Sequence, residues 1–225
     1  MDLASMSEQH RADGDRHASF YVLYNTAHMH DDVPGLPAMV AVRVQRDRAA
    51  GMFEMEYAWH PLVAMGEGWL VRRGADQTAF TRQGPIGPAD RETERIEALL
   101  RASGGSGRFT VHDDYSFDTA PYDTWVIATD TLAADPARPV RVFHDRRQID
   151  NDTHTLREGH FVSVEDARAW TDDLDSPLPP PALSPSARAA AALLGSSAAA
   201  AGWARVVSTP PPAAPPPGNG RPPSR

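Results

Sequence analysis

The sequence predicts an α+β fold: a mainly antiparallel sheet of about seven to eight strands, two helices, and a disordered C-terminal tail. Three observations carry this. Alternation with period two dominates residues 20–60. Two capped helical segments each follow a run of strands, without the regular strand–helix alternation of a parallel sheet. Composition changes abruptly near Ser176-Pro177.

The clearest strand lies at 51–60, GMFEMEYAWH. Phe53, Met55, Tyr57 and Trp59 alternate with Glu54, Glu56 and Ala58. A half-buried strand is expected, aromatic side inward and carboxylates outward. Before it, Val40, Val42 and Val44 alternate with Ala41, Arg43 and Gln45. The short link 47–51 ends in glycine, so the two runs read as an antiparallel hairpin. A second hairpin is expected over 69–72 and 78–82, turning at Gly74-Ala75-Asp76. Further strands are expected at 20–25, 108–112, 122–129 and 139–144; if the last three form a meander, His112 and His144 end on one edge of it.

Residues 89–102 carry Ile96, Leu99 and Leu100 at helical spacing, with Glu92 and Glu94 early and Arg101 late, as the helix dipole favours. Ser103-Gly104 stops this helix. The second begins at Ser163, which forms a capping-box variant with Asp166. Val164, Ala167, Trp170 or Thr171, and Leu174 share one side of it. A weak echo links Tyr21-Val22-Leu23 and Val42-Arg43-Val44 with Trp125-Val126-Ile127 and Val140-Arg141-Val142, the pattern two related half-domains would leave.

All 30 acidic residues fall within 1–175, where 18 arginines leave a net −12. Residues 176–225 hold no acid, four arginines and 13 of the 21 prolines. Such a composition buries too little apolar surface to offset chain entropy. The expected organisation is a disordered lead at 1–16, one α+β domain at 17–175 and a Pro/Ala-rich tail at 176–225. Within the tail, Ala-rich sequence after Ser184-Pro185 predicts a short helix over 186–204.

Zero cysteine excludes a disulfide scaffold, thiolate metal sites and a cysteine nucleophile. All 22 basic residues are arginine, so lysine chemistry is absent too. No signal segment and no long apolar run is visible, which points to a cytoplasmic protein without a membrane partner. The acidic domain argues against nucleic acid. Gly104-Gly105-Ser106-Gly107 follows a helix and precedes a strand, the reverse of a phosphate loop.

The densest set of metal-ligand types is His28, His30 and Asp31, in a loop holding Pro34, Gly35 and Pro37. His112 and His144 each precede an aspartate at an expected strand end and are the candidates to complete a site. Zinc or a similar divalent metal is the cofactor such residues would take; with no complete ligand set in the sequence, no cofactor is predicted. Tyr21, Trp59, Trp69 and Trp125 are the aromatics available to line a pocket. Three readings follow. The favoured one is a non-catalytic accessory domain that binds an unknown protein partner, its oligomeric state open. The others are a metal-dependent hydrolase using the loop histidines, and a small-molecule-binding domain with an aromatic pocket. No constellation is complete, which favours the first.

Overall fold

The computed structural model describes residues 3–26, 35–104, 106–117, 119–120 and 122–180. The chain divides into two compact units, Met1–Ala182 and Leu183–Arg225. The second, with the expected helix at 186–204, lies outside the described residues.

The first unit is α+β and contains two five-stranded sheets. Strands β1 (Leu3–Asp13), β2 (Arg16–Asn25), β3 (Met39–Asp47) and β4 (Met52–His60) form an antiparallel meander, followed by helix α1 (Val63–Val71). The short β5 (Thr81–Arg82) pairs with the free edge of β1, giving sheet 1 the order β4-β3-β2-β1-β5. The equally short β6 (Gly87–Pro88) leads to α2 (Arg91–Ser103). A second meander follows: β7 (Phe109–Ser116), β8 (Tyr122–Asp130), β9 (Val140–Gln148) and β10 (Thr153–Phe161), then α3 (Val164–Thr171). β6 joins β10 in parallel, so sheet 2 runs β6-β10-β9-β8-β7.

The two meanders are the same module built twice. β1 has a bulge between Ser5 and Ser7, opposite Leu23 and Val22; β7 has one between Val111 and Asp113, opposite Ala128 and Ile127. Val22 pairs with Ala41 and Ile127 with Val142. Ala41 then faces Ala58, and Val142 faces Gly159. In each module a helix starts after two intervening residues and carries a tryptophan at the same place, Trp69 and Trp170. The sequence echo is out of this register by one residue in the first pair of strands and by three in the second.

Helix α1 is apolar on opposite sides because it lies between two cores. Leu70, Val63 and Trp69 pack with Phe20, Val22, Met39 and Ala41 of sheet 1. Ala64 and Met65 join Ile96 and Leu100 of α2 over Val126, Ala128, Phe143 and Leu156 of sheet 2. Two glycines permit this. A methyl group on Gly66 would stand 3.3 Å from Val22, and one on Gly68 would stand 2.9 Å from the Leu100 carbonyl. Gly104 meets Gly68 so closely that a methyl on it would lie 1.9 Å from the Gly68 oxygen. Buried Glu67 accepts a 2.7 Å hydrogen bond from Arg101, tying α1 to α2. On the far side of sheet 2, Ala167 and Trp170 of α3 cover Ile127, Val140 and Val142.

Several expectations are corrected. Residues 3–13 form β1 rather than a disordered lead. Trp69 and its neighbours are helical, so the hairpin expected over 69–82 is absent; only Thr81–Arg82 pair, with β1. Strand β10 and helix α1 add to the expected elements, and the described residues hold ten strands in two sheets with three helices. The hairpin β3–β4, the meander β7–β8–β9, and the helices α2 and α3 match. Asp90 caps α2 by accepting from the Thr93 amide, and Ser163 caps α3 through the Asp166 amide. The largest correction concerns β4. Phe53, Met55, Tyr57 and Trp59 are 72, 59, 62 and 39% exposed. The reason is the side on which α1 packs: it covers the face carrying Met39 and Ala41, and β4's aromatic residues alternate onto the other.

Candidate functional site

The register places β4 and β10 at equivalent positions, so Phe53, Met55, Tyr57 and Trp59 correspond to His154, Leu156, Glu158 and His160. These two sets head the two candidate sites.

In the second module that face lies under α2. His154 is buried, with Nδ1 2.6 Å from Asp145 Oδ1 and Nε2 3.1 Å from Glu97 Oε1. Arg82 closes the chain, donating bonds of 2.9 and 2.8 Å to the two oxygens of Glu97. Burial works against a charge on His154, but hydrogen bonds to Asp145 and Glu97 outweigh it and hold the imidazole up at about 9. Glu97 feels the converse: burial raises it, and His154 and Arg82 together bring it below the usual carboxylate range. His154 is therefore a cation held between two acids at neutral pH. A cavity of about 30 Å³, bordered by Met6, Arg82, Asp145 and His154, adjoins it; this is room for a water.

Farther along the same face Arg141 is the hub. It hydrogen-bonds Glu158, donates 2.6 Å to Asp130, and lies 2.8 Å from His160 Nε2. Arg108 grips Asp130 with two bonds of 2.7 and 2.8 Å, and Arg95 of α2 reaches Glu158. Burial alone would raise Glu158, yet His160, Arg95 and Arg141 hold it well below its ordinary range. Every carboxylate in this network meets at least one cation, so its charges are spent on one another.

The equivalent face of sheet 1 has the opposite character. From β4 inward, its rows read Phe53–Arg46–His17, Met55–Val44–Ser19, Tyr57–Val42–Tyr21 and Trp59–Val40–Leu23. Its polar residues gather at one end and on β1. Arg46 donates 2.9 Å to Ser19 Oγ, and His10 lies 3.1 Å from the same oxygen and edge-on to Tyr21. The carboxylates of β4 point to the other side, where Glu56 accepts 2.6 Å from Arg43 and 2.8 Å from Arg73. Among the described residues no helix covers the apolar rows; β4 is also the free edge of the sheet.

The residues singled out in the sequence fall as follows. His28, His30 and Asp31 lie outside the described residues. His112 sits at the β7 bulge with Nε2 2.7 Å from Thr129 Oγ1. His144 lies in mid-β9, 3.5 Å from Asp123 and edge-on to Trp170, and burial lowers its proton affinity. The two histidines thus engage different partners. Among the described residues no group of three or more His, Asp and Glu is arranged to hold a metal. Tyr21 and Trp59 share the open face of sheet 1. Trp69 borders a cavity of about 130 Å³ beside His60, Leu100 and Phe109, and burial together with Arg73 and Arg72 lowers His60 to about 4. Trp125 stacks on Tyr115 against the α3 cluster. The four aromatics do not line one pocket. His154 and Glu158 carry no signal in the sequence, since polar residues at alternate strand positions ordinarily face water, and Glu97 reads as an ordinary polar position of α2; Asp145 is legible only as the neighbour of His144.

Comparison with protein families, characterised proteins and solved structures gives no match. No helix among the described residues is long and apolar enough to cross a membrane.

Proposed function

We propose that this chain is a non-catalytic protein-interaction module whose docking surface is the open face of sheet 1. The observation that carries the reading is the stripe Phe53–Met55–Tyr57–Trp59, four large side chains in one uninterrupted row on the exposed strand. They expose about 500 Å² together, at the upper end of what a monomer tolerates as one apolar patch. Aromatic residues and methionine are the types enriched where proteins meet. The buried ions support the same reading from the other direction. Asp145, His154, Glu97 and Arg82 saturate one another and serve to seat α2 on sheet 2.

A photo-crosslinking amino acid at position 57, compared with one at Glu165 on exposed α3, tests the reading in cells. Position 57 is expected to yield a discrete protein adduct, either with itself or with another protein, and position 165 none. No adduct at 57 would contradict the proposal.

A further inference from the structure

Resting on that reading, we infer that the occupant of the open face is a second copy of this chain, packed sheet to sheet. The stripe together with half-buried Tyr21, Leu23, Val42 and Val44 beside it approaches the roughly 800 Å² per partner of a standard interface. Such a face fits a flat apolar surface like itself, since sheets stack about 10 Å apart with their strands nearly aligned.

Charge placement selects the symmetry. Arg46 and His17 occupy only the row headed by Phe53. A two-fold axis parallel to the strands sets that row against itself and brings the cations together. An axis across the strands lays Phe53 on the partner's Trp59 and Met55 on the partner's Tyr57, and moves the two Arg46 ends apart. This closed arrangement is isologous and self-limiting. Pairing through the free edge of β4 would instead leave the apolar face in water, so stacking removes more apolar area from solvent.

In the second module the equivalent face is buried, beneath α2. Sheet 1 has no such helix among the described residues, and a second copy gives its face the same burial.

Sedimentation equilibrium of the full chain between about 1 and 100 µM tests the inference. The wild type is expected to approach twice the monomer mass, with a melting temperature that rises with concentration. Tyr57→Arg and Met55→Glu each place a charge in the interface, and each alone should remain monomeric with its folded circular dichroism spectrum intact. An equimolar mixture of the two variants should recover the dimer, because Met55 faces the partner's Tyr57 and the introduced charges then pair. Recovery in the mixture is a result that misfolding of either variant cannot produce. A wild type that stays monomeric at 100 µM, a dimer that survives both substitutions, or a mixture that fails to associate would overturn the inference. A monomer whose position 57 still crosslinks to a different protein would leave the interaction module standing and remove only the second copy. A monomer whose Tyr57→Arg variant melts lower than wild type would assign the face to a segment of the same chain.

Discussion

Strands β4 and β10 hold the same place in two modules of one topology, yet their alternation is opposite in kind. On equivalent faces β4 presents Phe, Met, Tyr and Trp to solvent, while β10 presents His, Leu, Glu and His to the interior. The strands themselves do not determine this difference. It follows from what lies over them: sheet 2 receives α2, which brings Glu97 and Arg95 to the strand's cations and acids, whereas sheet 1 keeps an open face. A buried polar face is tolerable when each charge is answered, and breaking one of its pairs costs more than the intact pair contributes. The proposed docking surface rests on the opposite case, an apolar face left in water.

The contrast is broken most severely at Arg141. Arg141→Met removes the counter-ion that Asp130 and Glu158 share, leaving them only Arg108 and Arg95, and should cost about 2–3 kcal/mol in urea unfolding. Its counterpart Val40→Ala removes only methyl groups and should cost under about 2 kcal/mol. Equal costs would mean that the two faces are energetically alike. Next comes the seam between the modules. Gly104→Ala drives a methyl into the Gly68 backbone and should cost about 1–3 kcal/mol, read as a lowered melting temperature of the whole first unit.

A smaller effect is expected from pH. His154 is held at about 9, above its usual 6.5. Its contribution to stability is complete below pH 6.5 and is lost as pH rises toward 9. His60, lowered to about 4, acts oppositely, and its contribution fades as pH falls from 6.5 toward 4. Melting temperature should therefore decline on both sides of neutral pH. His154→Asn should flatten the alkaline limb and His60→Asn should lessen the acid one. An alkaline limb unchanged in His154→Asn would show that His154 is not the buried cation. The smallest effect belongs to Tyr57→Ser, which should alter the stability of the dissociated protomer by no more than about 0.5 kcal/mol. A loss of 2 kcal/mol or more there would place the stripe in the protomer's own core.

The α+β class, the β3–β4 hairpin, strands β7 to β9 and the helices α2 and α3 were legible because each rests on local signals: alternation, a glycine turn, the charge order of Glu92, Glu94 and Arg101, or Ser163 at a cap. Helix α1 was not legible, since a helix between two cores loses its polar side and Gly66 and Gly68 lower its propensity. β1 was hidden by its polar composition, with Ser7 and Gln9 its buried residues. β4 was recognised as a strand but turned the wrong way, because alternation tells that a strand has two sides and not which side meets the core. The interior ion network was invisible for the same reason. Arg82, Glu97, Asp145 and His154 come from four separate elements and meet only in three dimensions.

The central claim is that the open face of sheet 1 is covered when the protein associates while the α2-covered face of sheet 2 is closed throughout. Hydroxyl-radical footprinting at about 1 and 100 µM measures both at once. The account predicts that Phe53, Met55, Tyr57 and Trp59 react readily in dilute protein and become protected at high concentration, with His154, Leu156 and His160 unreactive at both. Equal reactivity of the β4 stripe at the two concentrations, or labelling of the β10 set to the same extent as the stripe, would contradict it.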